Sequence, residues 1–320
     1  MLPKRVPASA FICLVILGAF ISFFCSINSG LALIGGFAVS YFQQADENVK
    51  RVNRVAKLTL AWAIVGFGLT ITLSTIGVLT VQYFFQTCSG ILLALTAAYF
   101  GGKVLQIDSL LSLLVGVGTA ICGASAIAAV GNATKASAEK MSMALGTVLV
   151  LNALALIIFP FLGHALSLSP HDFGVWAALA IHDTSSVVGA AMSFDPSSLE
   201  TATTIKLARA LWIVPVTAFC AHVFVKNDER KSFQIPWFIW GYLLAAAVGS
   251  FLPMSLEARA LCSATARSAF RAGLFLTGAG VNLKSVLSLG TRPFFLGVLL
   301  WILSAGWSLY VILHFAVPSV

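Results

Sequence analysis

The sequence predicts an all-α, polytopic membrane protein, and three observations carry that prediction. Hydrophobic residues make up 59% of the 320-residue chain, and the mean hydropathy is +0.97. Only 9% of residues are charged, against about 25% in a soluble globule, so the chain cannot cover a water-facing surface. Eleven apolar stretches follow one another between short polar connections, each near the length that crosses a hydrocarbon core of about 30 Å.

The stretches lie at about 8–24, 30–43, 58–80, 83–101, 109–129, 141–161, 173–192, 197–225, 235–252, 265–289 and 293–317. The first follows Lys4 and Arg5 and resembles a signal peptide, with an apolar run at Phe11–Phe24. No convincing small-x-small cleavage site follows it, so it reads as a retained helix. No extramembrane stretch exceeds about 20 residues, so residues 1–320 read as a single transmembrane transporter domain.

Charge placement sets the expected orientation. With a cytoplasmic amino terminus, the inner loops hold Lys4, Arg5, Lys50, Arg51, Arg54, Lys57, Lys103, Lys226, Arg230, Lys231, Lys284 and Arg292, and the outer loops hold Lys135, Lys140 and Arg259. That bias predicts an N-in protein of the bacterial inner membrane, with the carboxyl terminus outside. The net charge of +8 is therefore read as loop charge and not as a nucleic-acid footprint, since no basic run of useful length lies outside Lys50–Lys57. Cys13, Cys25, Cys88, Cys122, Cys220 and Cys262 lie in or beside apolar stretches without CxxC spacing, so neither a disulfide framework nor a metal site is expected. The histidines are scattered, and only His182 has a carboxylate beside it, so an intramembrane enzyme is not expected. No cofactor is expected.

Three places depart from plain membrane-filling composition. The run Gly116 to Asn132 packs four glycines with Thr119, Ser125 and Asn132. Unwound backbone at membrane depth is tolerated only where it lines a cavity, and a small-residue packing face is the alternative. In Ala180-Ile-His182-Asp183-Thr-Ser185-Ser186, Asp183 is the one carboxylate that cannot be moved to a membrane surface. Such a residue costs about 2.5–3.5 kcal/mol at a helix centre and marks a pathway or a site. Lys206 and Arg209 follow the helix start at Pro196, and Arg209 falls near the midplane, about 18 Å in at the α-helical rise. Two buried cations against one carboxylate predict a bound anion, with Arg209 held by Asp183 and backbone carbonyls as the alternative.

Internal likenesses favour a carrier over a channel. Gly66-Phe-Gly68-Leu-Thr70 resembles Gly278-Ala-Gly280-Val-Asn282 in a span expected to run the opposite way, as inverted repeats do. These glycines and Asn282 read as helix breaks or packing points. Ala-Ile-Cys-Gly-Ala-Ser125 also resembles Ala-Ile-His-Asp-Thr-Ser185, in two spans expected to run the same way.

Ile121-Cys-Gly-Ala-Ser-Ala126 with Lys135, His182-Asp183 leading to Val187-Val-Gly-Ala-Ala191, Lys206-Leu-Ala-Arg209, Ile235-Pro-Trp-Phe238 and Gly278-Ala-Gly-Val-Asn282 together resemble one family in this order. It is the bacterial inner-membrane family of conserved hypothetical proteins named as sulfate exporters. The resemblance implies a fold similar to the cation–proton antiporter and anion transporter superfamily, with discontinuous helices crossing at the midplane and half-helix N-termini facing anions. The chain departs from the family pattern at Gly131 and Asn132, where an acidic residue and a proline are usual. It departs also at Asp183 in place of Glu, and at Gly68 in place of Arg.

The resulting expectation is a secondary transporter of a small anion such as sulfate, a sulfonate or a carboxylate. Lys206 and Arg209 would hold the anion, Gly123, Ala124 and Ser125 would offer backbone amides, and His182 and Ser185 would line the site. Asp183, His182 and Asn132 would carry a coupling proton or sodium ion. The competing expectation is a cation–proton antiporter with Asp183 as the ion site and Arg209 structural. The lipid bilayer is the expected partner, with a homodimer left open and no nucleic acid.

Overall fold

The computed structural model describes residues 8–25, 29–40, 42, 46–224, 237–252, 254–280 and 290–314. Every regular element among them is a helix, as expected of an all-α membrane protein. Helices Phe84–Val104, Ala138–Ala165, Pro196–Phe224 and Thr291–His314 are each long and apolar enough to cross a membrane. The chain forms two compact units, residues 1–76 with 237–284, and residues 77–236 with 285–320.

The first unit contains α1 (Ala8–Phe24), α2 (Ser29–Ser40), α3 (Asp46–Gly68), α13 (Trp237–Phe251) and α14 (Leu256–Ala279). Phe11, Val15, Ala32, Val52, Ala56, Phe275, Leu276 and Ala279 form its core cluster. The stretch expected at 58–80 is not one straight span. α3 begins three turns earlier, through the basic run, ends at Gly68 and bends by 103° into α4 (Leu73–Gln82). Its polar first half and apolar second half explain why hydropathy placed the start too late. Contacts pair the level of Asn53 with Gly280, Leu60 with Gly273 and Gly66 with Ala266, so α3 and α14 run antiparallel. Val65 meets Gly241 and Leu69 meets Gly249, so α13 runs parallel to α3.

The glycines singled out in this unit serve close packing. A Cβ on Gly68 would lie 2.5 Å from the Tyr242 carbonyl oxygen, and one on Gly278 would lie 2.3 Å from that of Leu33. Gly66 faces the Ala266 methyl and Gly280 faces Asn53, whose Nδ2 donates to the Gly280 carbonyl at 2.9 Å. Asn282 lies outside the described residues.

The second unit contains α5 (Phe84–Val104), α6 (Ser109–Ala120), α7 (Ala124–Ala133), α8 (Ala138–Ala165), α9 (Pro170–Ala180), α10 (Thr184–Phe194), α11 (Leu199–Ala210), α12 (Ile213–Phe224) and α15 (Thr291–His314). Helix starts follow side-chain caps that satisfy leading amides: Asp108 for α6, Ser137 for α8, and Ser169 with Pro170 for α9.

Two of the expected spans turn back instead of crossing. The Lys140 ammonium, at the start of α8, lies 2.8 Å from the Asp108 carboxylate that starts α6, and a Cβ on Gly118 would touch Ile127. α6 and α7 therefore form a re-entrant hairpin that enters and leaves by one face. α9 and α10 form a second hairpin, since the Phe173 and Phe194 rings stack with centroids 4.0 Å apart and the Ser198 hydroxyl donates to the Ala191 carbonyl. α8, about 42 Å long at the helical rise, joins the two mouths: Met141 abuts Gly131 at one end, and Gly163 abuts Phe173 and Phe194 at the other. The hairpins thus enter from opposite faces. A hairpin and a crossing of equal length have the same hydropathy, so composition could not separate them.

Candidate functional site

The hairpin tips, Ile121–Gly123 and Ile181–Asp183, meet inside the second unit. A Cβ on Gly123 would lie 3.4 Å from the Asp183 Cβ and 3.3 Å from Val148. One helical turn along α8 from Val148, the Asn152 Oδ1 accepts from the Asp183 amide at 3.2 Å. Four half-helix ends are gathered here: the C-termini of α6 and α9 and the N-termini of α7 and α10.

Helix C-termini leave carbonyls without partners and carry partial negative charge. α11 places its two cations on them. Arg209 Nε donates to the Ala120 carbonyl at 2.7 Å and Nη2 to that of Thr119 at 3.2 Å, both at the end of α6. Its Nη1 donates to Ala178 at 3.2 Å and to Leu179, at the end of α9. Lys206 Nζ donates to the Ile181 carbonyl at 2.6 Å. Arg209 is 2% exposed and Lys206 0% exposed, so neither side chain snorkels to water. Of the two partners expected for Arg209, a bound anion or Asp183 with backbone carbonyls, the carbonyls are found here, because the fold brings two helix ends to one arginine.

The N-termini differ from one another. At α10, Asp183 caps the helix: its carboxylate accepts from the Ser185 amide at 3.0 Å, the Ser186 amide at 3.4 Å and the Ser185 hydroxyl. At α7 the capping position is Gly123, with φ +62° and no side-chain cap. That left-handed conformation favours glycine, and the leading amides at Ala124 and Ser125 keep the vacancy of an uncapped helix. Ala124 is exposed and Ser125 half-buried.

The structure thus brings Gly123, Ala124, Ser125, His182, Asp183, Ser185, Lys206 and Arg209 into one constellation. Asn132 is not part of it. It is exposed near the far end of α7, nine residues from Gly123 and at the hairpin's mouth, a separation that re-entry imposes. His182 is buried, and neither ring nitrogen has a hydrogen-bond partner. Asn152 was missed by the sequence reading, although an amide amid the apolar run of α8 was a visible signal. Among the described residues, no cluster of His, Cys, Asp and Glu side chains is arranged to hold a metal ion.

The likeness between Ala-Ile-Cys-Gly-Ala-Ser125 and Ala-Ile-His-Asp-Thr-Ser185 falls on the two tips. The expectation that these segments run the same way is corrected by their entry from opposite faces, which is the arrangement of an inverted repeat.

The conserved hypothetical protein 698 family model matches residues 11–297. The chain belongs to this family. Among curated relatives, a UPF0324 membrane protein of Photobacterium profundum is 42% identical over 291 residues, covering 91% of this chain and 88% of the relative. One from Bdellovibrio bacteriovorus is 39% identical over 301 residues, covering 93% and 92%. A third, from Geobacter sulfurreducens, is 38% identical over 277 residues, covering 87% and 88%. No solved structure matches the chain. With its apolar helices, this member of the conserved hypothetical protein 698 family is a multi-pass membrane protein.

Proposed function

We propose that the chain is a secondary active transporter of a small anion in the bacterial inner membrane, coupled to a proton or sodium ion through Asp183. The observation that carries this reading is the unequal capping of two repeat-related tips. Asp183 places a carboxylate on the α10 N-terminus, and the corresponding Gly123 leaves the Ala124 and Ser125 amides of α7 without a side-chain cap. A sulfate, sulfonate or carboxylate oxygen at the Ala124 and Ser125 amides would occupy the position that Asp183 occupies at the other tip.

The charge balance points the same way. Lys206 and Arg209 carry two formal positive charges, and Asp183 carries one negative. Four helix ends, at about half a charge each and of opposite sign in pairs, cancel. About one positive charge remains for a solute to neutralise. The anion and Asp183 would be close neighbours of like charge, so anion binding favours a protonated or cation-paired Asp183, and the two solutes move together.

The hairpins also sharpen the proposed orientation. Because each returns to its own face, Lys135 and Lys140 join the side of Lys103.

The saturation of Arg209 and Lys206 by carbonyls favours a second reading, a cation–proton antiporter in which Asp183 binds the ion and both cations are structural. Proteoliposomes separate the two. Uptake of labelled sulfate or methanesulfonate that is driven by an inward proton or sodium gradient and lost in Ala124→Asp supports the anion reading. Cation-dependent internal pH change without any permeant anion, unaltered in Ala124→Asp, supports the antiporter and overturns it.

A further inference from the structure

The described helices of the first unit carry seven basic residues, Lys50, Arg51, Arg54, Lys57, Arg259, Arg267 and Arg271, against three acidic ones, Asp46, Glu47 and Glu257. Most of these charges sit in the polar first half of α3 or the first turn of α14. Arg51 pairs with Glu47 at 2.9 Å, and Arg259 donates to the Gly249 carbonyl at 2.9 Å.

Arg267 and Arg271 are different. α14 has 24 residues, about 36 Å at the helical rise, and Arg267 is its twelfth. The antiparallel contacts with α3 put the pair between the levels of Gly66 and Leu60, beside the apolar half of α3 and far from the ends that hold Glu47 and Glu257. The two arginines are four residues apart and so lie on one helix face, with Ser263 in the same row.

Both arginines are half-buried. Among the described residues neither forms an ion pair, and the only hydrogen bond between them and a protein group is Arg271 Nη2 donating to the Ser268 hydroxyl at 2.9 Å. Arg271 Nε is buried without a partner. Guanidiniums that are half-buried one helical turn apart repel one another, and their burial is costly unless a negative group lies between them. No carboxylate occurs on α1, α2 or α13, or on α3 beyond Glu47.

We propose that Arg267 and Arg271 form an oxyanion-binding site on α14, taking a small carboxylate, sulfonate or sulfate in a forked, bidentate manner, with Ser268 orienting the Arg271 guanidinium. The site shares with the preceding reading only the chemistry of its solute, and it does not depend on the tip of α7.

The test is isothermal titration of sodium sulfate and sodium methanesulfonate into the purified full-length protein at constant ionic strength. The comparison uses the wild-type chain, Ala124→Asp, and Arg267→Gln or Arg271→Gln in each background. The expected result is sulfate binding that persists in Ala124→Asp and weakens at least tenfold when either arginine is replaced. Arg267→Lys and Arg271→Lys, which keep the charge and serve if the glutamine variants fail to fold, should weaken binding severalfold through loss of the planar fork. Sulfate affinity unchanged by every arginine substitution overturns this site and leaves the α7 reading standing. Complete loss of binding in Ala124→Asp alone also overturns it as a separate site, and no heat from either anion with any variant overturns both.

Discussion

The two hairpin tips share a sequence pattern and a meeting place but solve the helix N-terminus differently. At the α10 tip, Asp183 closes the helix from within, using two amides and a hydroxyl. At the α7 tip, Gly123 leaves the same position empty while its neighbour Ala124 is exposed. The C-termini of α6 and α9, the first helices of the same hairpins, are treated alike, both held by Arg209. Symmetry is therefore kept where the charges hold the fold together and broken where a solute could enter.

That contrast can be broken at its strongest point first. Arg209→Ala removes a buried guanidinium and leaves carbonyls of α6 and α9 unpaired, a loss of about 3–5 kcal/mol by analogy with broken buried charge networks. The expected result is a protein that no longer survives detergent extraction as a monodisperse peak in size-exclusion chromatography. Recovery of a stable protein that has lost only transport would assign Arg209 to the solute instead.

Making the tips alike should have the next largest effect. Ala124→Asp sets a carboxylate in the first turn of α7, where it is favourable to the helix by about 0.3–1 kcal/mol. The melting temperature without ligand should hold or rise, while anion affinity falls about a hundredfold or more, as read by titration calorimetry in the Arg267→Gln, Arg271→Gln background.

A smaller effect is expected at the mouth of the first hairpin. The Lys140 hydrogen bond, helped by the Leu111 amide, holds the Asp108 carboxyl below its ordinary range. Its stabilising contribution is present above the ordinary carboxylate pKa and is lost as pH falls through the lowered one. In Lys140→Met the acid limb of a melting-temperature profile should move to higher pH, with a loss of at most about 1 kcal/mol for a partly exposed pair.

The helical stretches were legible in the sequence because apolar length is a one-dimensional property. The turning back of α6–α7 and α9–α10 was not, since it depends on where Asp108 meets Lys140 and Phe173 meets Phe194. Asp183, Lys206 and Arg209 stood out as charged residues inside apolar stretches, and Gly123 as part of a glycine-rich run. Backbone carbonyls were one of the two partners expected for Arg209, but which carbonyls Lys206 and Arg209 touch was hidden, because every residue possesses one. Arg267 and Arg271 were passed over because α14 starts at Leu256, nine residues before the apolar stretch expected there, so two residues near its middle looked like the end of a span.

The proposed coupling between the tips is tested most directly by measuring sulfate affinity in the Arg267→Gln, Arg271→Gln background, with and without Asp183→Asn, which keeps a capping acceptor but removes the charge. The expected result is that the Asp183→Asn protein binds sulfate several times more tightly, because a like charge next to the anion is gone. Equal affinity in the two proteins would contradict it.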